Sequence, residues 1–433
     1  MIDKLIKFIG LALPFELIVA YAAHNLIKPI LGEWYRLFFI GIIGIFIICF
    51  ILSNITIKRE SIYFLVVSLI FTLAGFWEYI VSLIVGGLPI EALMQFLCGF
   101  MFPALLFFTI INLSDKRQTL FFKSWYIGTI CLMLFGYIVT AYYYNNLPEW
   151  YRNKDMAFKL FSFRYAYGDN PNSNGMILVL GNFNKASNYI LIMLLFSVRL
   201  LSGKDRQMNA RLIKIFWVVG VVTLLILFSR LAVLLLPIVY WASGVNKYFI
   251  NFFKRKLVIV TIAILIGGIV VKNSELIKPT FDYLLFSKFD ENSSDDGVLG
   301  TGAGRFSDWK KQSYRFTIID NWIHGMGVGR YGLEEGSKDY GTHNLLFDHF
   351  LASGFFVPII VILIWGIGLV KGMIQKRKEI IIGFIIIMAL FFREYSFSYL
   401  FVTVHGGVIF MLLSFSAFKR MRDKEVVDEV AWM

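Results

Sequence analysis

The chain has 433 residues, of which 58% are hydrophobic, 17% aromatic and only 16% charged; its mean hydropathy is +0.70 and its formal net charge +13. Soluble domains are about half apolar and about a quarter charged, so this composition excludes an ordinary water-soluble domain. The basic residues gather in short segments between apolar runs, where topology and anionic headgroups call for them, and this pattern speaks against a nucleic-acid partner.

Most of the apolar runs have roughly 18 or more residues, enough to cross about 30 Å of hydrocarbon. In chain order they cover 5–23, 34–53, 62–85, 90–111, 121–142, 175–201, 211–228, 230–246, 256–272, 344–370, 379–393 and 396–418. Lipid offers no partner to a backbone amide, so each run is expected to be helical. The expected fold is all-α and polytopic: a single integral membrane domain over 1–433 with about twelve transmembrane helices. The first run lacks a small-residue cleavage site and reads as an uncleaved helix. The run 175–201 is interrupted by Asn182, Asn184, Lys185, Ser187 and Asn188, and the next two runs meet at Ser229-Arg230 with almost no loop. Cys49, Cys98 and Cys131 all fall inside runs and imply packing, with no disulfide framework.

Lysine and arginine in short loops set the expected orientation. Lys58 and Arg59; Lys116, Arg117 and Lys123; Arg199, Lys204, Arg206, Arg211 and Lys214; Lys247, Lys254, Arg255 and Lys256; and Lys371, Lys376, Arg377 and Lys378 occupy alternate loops. With Lys4 and Lys7 at one end and Lys419, Arg420, Arg422 and Lys424 at the other, they share one face, expected to be cytoplasmic with both termini.

On the opposite face two loops are long, about 143–174 and 273–343, and loops of that length are usually functional. The stretch Asp290-Glu291 to Asp295-Asp296 reads as a solvated acidic loop whose spacing fits no calcium site. Beyond Gly304, Phe306, Trp309, Phe316 and Ile319 share a helical face while Lys310, Lys311 and Arg315 lie off it. That pattern predicts an amphipathic helix at the membrane interface.

Further positions stand out. Arg230 sits between two apolar runs, where a guanidinium is costly unless it is paired or lines a wet cavity. Arg164 precedes Asn-Pro and Asn-Ser-Asn-Gly turn chemistry, in which Asn172 is either a helix cap or a ligand. Arg305 and Arg330 add cations to the second long loop. His343 opens an apolar helix with Thr342 as its cap. The positive end of that helix favours a neutral imidazole able to accept a proton, and it attracts phosphate. Glu16, Glu78 and Glu394 fall in apolar runs and are candidates by that fact alone, free to pair with Arg230, Arg164 or Arg393. His24, His324, His349 and His405 have no company like that of His343; His349 shares no helical face with His343, so no metal pair is expected.

Four stretches carry a resemblance. They are Arg164 to Gly175 with Pro171-Asn172; Phe228-Ser229-Arg230-Leu231; Gly304-Arg305 to Trp309 followed by Asn321 to Gly329; and Thr342-His343-Asn344 leading to Ala352-Ser353-Gly354. Their order and spacing between helices resemble the O-antigen ligase and polymerase superfamily, polytopic bacterial glycosyltransferases that use lipid-linked sugars. The likeness covers about residues 160–370, and the first 140 residues are generic. Arg164 and Gly175, like Arg330 and Gly341, enclose ten residues, the spacing by which polymerases of this superfamily are described in their third and fifth outer loops. The ligase branch shares the Arg230, Arg305 and His343 pattern.

A departing polyprenyl diphosphate needs its growing charge stabilised, by magnesium or by fixed cations. No acidic pair near His343 is placed to hold a metal, whereas guanidinium matches phosphate oxygens two at a time. The expected roles give Arg230 and Arg305 the diphosphate, and Arg164 and Arg330 the diphosphate or sugar. Asn172, Lys310 and Arg315 complete the substrate-binding set, and His343 orients or deprotonates the acceptor hydroxyl. The resemblance implies a GT-C-like fold in a bacterial inner membrane, with no cofactor and a metal-independent reaction. It also implies an undecaprenyl-diphosphate-linked oligosaccharide as donor and acceptor, with membrane lipids and a chain-length regulator as further partners. The expected activity is a Wzy-type repeat-unit polymerase for O antigen, capsule or exopolysaccharide. The alternatives are an O-antigen ligase acting on lipid A core or another acceptor, and a polytopic transporter or lipid flippase.

Overall fold

The computed structural model describes residues 2–15, 62–86, 89–145, 183–201, 206–227, 230–253, 323–328, 345–374 and 378–391, with isolated positions 30, 41, 44, 48, 51 and 376. Every regular element among them is helical. Among the described residues, four stretches are long and apolar enough to cross a membrane: Leu65–Val85, Ala92–Asn112, Asp115–Ile138 and Phe356–Ile374. The chain is thus a helical, membrane-embedded protein. The runs expected at 256–272 and 396–418 lie outside the described residues.

The first helix, α1 (Ile2–Ala12), continues as a 3-10 turn, Leu13–Phe15, at Pro14. It lies parallel to α5 (Asp115–Asn145), because Asp3 reaches Arg117 at 3.0 Å near one end while Gly10 and Leu11 meet residues 121–128 further along. The approach is so close that a Cβ on Gly10 would lie 2.8 Å from the Phe121 carbonyl, and one on Gly128 would lie 2.5 Å from that of Leu11. Small residues let membrane helices touch backbone to backbone. The exposed Asp3–Arg117 pair adds little to stability.

Helix α2 (Ile62–Val85) fills the third expected run. The fourth run is one continuous rod in its hydropathy but three pieces in the structure: α3 (Pro89–Met94), a π turn (Gln95–Met101) and α4 (Phe102–Asn112). Pro103 explains the widening. It has no N–H for the Gly99 carbonyl four residues back, and its ring would crowd that oxygen. The Phe102 amide instead reaches the Leu97 carbonyl, five residues back.

Helices α5, α6 (Phe183–Leu201), α7 (Arg206–Leu227) and α8 (Arg230–Ser243) surround the largest apolar core. Trp125, Tyr126, Leu191, Leu194 and Phe216 are buried there. Three of its polar side chains form a closed circuit. Trp125 Nε1 donates to Tyr189 Oη at 2.8 Å, Tyr189 Oη meets Thr129 Oγ1 at 2.9 Å, and Thr129 Oγ1 donates to the Trp125 carbonyl at 2.9 Å. Nearby, Tyr126 donates to the Met193 carbonyl and Trp217 Nε1 to Ser197 Oγ. Polar bonds between membrane helices act as glue. Tyr189→Phe leaves the indole N–H buried without that acceptor, so it should lower unfolding stability by about 1–3 kcal/mol. Denaturant titration in detergent micelles measures this, and an unchanged midpoint would contradict the circuit.

At its far end α8 meets a short amphipathic helix, α9 (Asn246–Phe253), with Tyr248 and Phe249 against the core. Lys378, opening α12 (Lys378–Phe391), lies over the Trp241 ring at 4.6 Å, an aromatic–cation anchor suited to a membrane interface.

The run expected as a single helix over 344–370 is two. Helix α10 (Leu345–Ser353) stops at a turn, and α11 (Phe356–Ile374) begins after it. Gly354, with φ +69°, makes the break, since a left-handed residue ends a helix with little cost only as glycine. Helix α11 is apolar on both faces: Val357, Val361 and Ile364 are buried while Ile359, Leu363 and Ile367 are exposed. A helix apolar all round belongs in lipid.

Candidate functional site

Glu78 is the only ionisable acid in α2, and it is buried. A carboxylate in that setting persists only if its oxygens are well supplied with donors. Its Oε2 lies 2.7 Å from His349 Nδ1 on α10, and its Oε1 accepts from Gln95 Nε2 at the first residue of the π turn. Ser353 Oγ stands 3.4 Å from the same Oε2 while donating to the His349 carbonyl at 2.8 Å. His349, Gln95 and Ser353 are all buried. The His349 ring meets Phe100 edge-on, with centroids 5.5 Å apart.

One turn further along α2, Ser82 Oγ donates to the Glu78 carbonyl at 2.7 Å and accepts from the Val328 amide at 2.9 Å. The segment 323–328, expected as part of an outer loop, is therefore seated on the helices. The Met326 amide donates to the Leu351 carbonyl at 2.6 Å and the Gly327 amide to that of Ala352 at 3.0 Å. Val328 packs with Ala92, Ala352 and Tyr79 beneath this seat. Gly325 and Gly354 both have positive φ and lie against each other's backbone. A Cβ on Gly354 would sit 2.1 Å from the Ile323 carbonyl oxygen, and one on Gly325 would sit 2.5 Å from the Ser353 nitrogen.

Glu78 and Ser82 are four residues apart on α2, and so are His349 and Ser353 on α10; each pair shares one face of its helix. Two helices thus meet through matched polar edges, with Gln95 bracing the carboxylate from a third element. Glu78 lies seven residues before Val85, roughly 10 Å from that helix end at 1.5 Å per residue. Among the described residues no group of three or more His, Cys, Asp or Glu side chains could hold a metal ion. The imidazole on one oxygen and the Gln95 amide on the other make an orienting arrangement around the carboxyl group.

Of the residues singled out in the sequence, Arg230 is the first residue of α8, where α7 gives way to it after Leu227. His343, Arg305, Arg164, Asn172, Arg330, Lys310 and Arg315 lie outside the described residues, as do Glu16, Glu394, His24 and His405. Glu78, a candidate left free to pair with an arginine, meets a histidine. His349, expected to have no company like that of His343, is that residue. The signal in the sequence was the pair of matched polar spacings, Glu78 with Ser82 and His349 with Ser353, each in an apolar stretch.

No family model matches this chain, and no curated protein matches it.

Proposed function

We propose that this chain is a membrane glycosyltransferase that polymerises oligosaccharide repeat units carried on a polyprenyl diphosphate. It would act at the extracytoplasmic mouth of a bundle of about twelve spans with a GT-C-like fold in a bacterial inner membrane. The observation that carries the reading is the meeting of two of the stretches on which the resemblance rests. Residues 326–327 bond to the carbonyls of Leu351 and Ala352, beside the buried Glu78. In sequence Arg330 follows Val328 by two residues and His343 precedes Leu345 by two. The parallel course of α1 and α5 supports the expected alternation, in which the first and fifth spans run the same way.

In this mechanism Arg230 and Arg305 take the diphosphate of the donor, while Arg164 and Arg330 hold diphosphate or sugar. Asn172, Lys310 and Arg315 line the approach. His343 accepts the proton of the acceptor hydroxyl as its oxygen attacks the donor's anomeric carbon. The bond from that carbon to the diphosphate oxygen breaks, and polyprenyl diphosphate leaves with the electron pair. Fixed cations near a developing anion contribute on the order of 10²–10³ in rate. Arg230→Ala and His343→Ala should each lower polymer formation by at least about a hundredfold while membrane insertion is unchanged. Polymer retained in either variant would contradict the assigned roles.

A ligase reading rests on the same Arg230, Arg305 and His343. A ladder of repeat lengths on the carrier lipid separates polymerisation from a single transfer to another acceptor. The buried Glu78–His349 pair favours one further reading, a proton-linked carrier, since acid–imidazole chains serve as proton relays in pumps and transporters. Substrate movement with no new glycosidic bond would mark a carrier.

A further inference from the structure

We propose, resting on the glycosyltransferase reading, that the Glu78–Ser82 edge of α2 is a positioning device. It sets where the chain enters and leaves the segment that carries Arg330 and His343. Helix α10 has only nine residues, too few to hold its place by helix propensity. It is held instead by the Glu78 carboxylate through His349 Nδ1 at 2.7 Å and, near its last turn, by the Met326 and Gly327 amides on the Leu351 and Ala352 carbonyls at 2.6 and 3.0 Å. A side-chain hold and a backbone hold at different heights fix both the roll of a helix and its position along the axis. The carboxylate is itself braced by Gln95 on its other oxygen. Ser82, one turn along, receives the Val328 amide at 2.9 Å, and its own orientation is set by its bond to the Glu78 carbonyl. Val328 is where the chain departs towards Arg330, and Leu345 is where it returns from His343. Both ends are therefore referred to one rigid edge, with the 326–327 bonds to α10 tying them to each other. A cation that grips a leaving group and a base that acts on a nucleophile must keep a fixed separation, and misplacement by about 1 Å costs up to about a hundredfold in rate.

The test uses the full-length protein in lipid nanodiscs with Ser82→Ala and, separately, Glu78→Gln, which keeps shape and replaces one carboxyl oxygen by an amide nitrogen. Two readouts are taken. Hydrogen exchange of the Met326, Gly327 and Val328 amides should accelerate by about tenfold or more, since exchange reports local opening. With polyprenyl-diphosphate-linked repeat units as substrate, kcat and kcat/KM should fall together by roughly ten- to a hundredfold while KM stays within about twofold, the signature of a contact made only in the transition state. Unchanged exchange and unchanged kcat in both variants would overturn the proposal. So would faster exchange with unchanged kcat. If the unsubstituted protein forms no glycosidic bond while the amides respond as expected, the glycosyltransferase reading fails and the anchoring of the two chain ends stands.

Discussion

Glu78→Ala is expected to lower unfolding stability by about 3–5 kcal/mol, since each buried donor left without its acceptor costs about 1–3 kcal/mol and the void adds to that. The truncation takes the acceptor from His349 and Gln95 together and leaves a void between α2 and α10. Ser353 keeps its bond to the His349 carbonyl, so α10 is loosened more than unfolded. A second variant separates stability from function. Replacing Glu78 and His349 together by leucine removes both polar groups, and such a swap of a buried pair is often neutral or stabilising. Its stability should recover part of the single-variant loss, since the buried Gln95 amide still lacks its acceptor, while transferase turnover stays depressed because α10 has lost its azimuthal reference. Thermal unfolding in detergent and turnover with the lipid-linked substrate read the two quantities. Full activity in the double leucine variant would reduce the pair to packing.

Gly354→Ala is the second large effect. At φ +69° an alanine carries roughly 1–2 kcal/mol of backbone strain. Its Cβ would also lie 2.1 Å from the Ile323 carbonyl oxygen, and neither atom belongs to a flexible side chain. The segment 323–328 must therefore lift, with loss of the Met326 and Gly327 bonds to α10 and of the Val328 bond to Ser82. Each buried bond broken costs about 0.5–1.5 kcal/mol, so the total expected loss is on the order of 3–5 kcal/mol. Gly244 also has positive φ, but a Cβ there meets nothing within 4 Å, so Gly244→Ala should carry the strain alone, about 1–2 kcal/mol. Comparing the two unfolding midpoints isolates the steric part, and equal losses would contradict the close backbone contact at the junction.

Where the sequence reading succeeded, hydropathy and element length were enough. The run 62–85 coincides with α2, and 379–393 with α12 to within two residues. Where it missed, the deciding fact was local geometry that hydropathy does not encode. Gly354 stands between Ser353 and Phe355 in an apolar stretch, so 344–370 looks continuous, yet a left-handed residue splits it. Pro103 likewise sits in an apolar run whose hydropathy is unbroken while its missing amide widens the turn before it. Half of the Glu78 site was legible, since an acid in a membrane helix demands a partner. The partner was not, because α10 and α2 are distant in sequence and periodicity says nothing about which polar edges meet. Arg230 was read at a helix junction, and it begins α8 there.

The central claim, that sugars are joined at the mouth of this bundle, is tested most directly by reconstitution. The purified protein in lipid vesicles receives only polyprenyl-diphosphate-linked repeat units, with a chelator present to remove divalent metal. The account predicts a ladder of products at whole multiples of the repeat mass, with one polyprenyl diphosphate released per bond formed. Folded protein, its 326–328 amides protected from exchange, that forms no glycosidic bond from this substrate would contradict it.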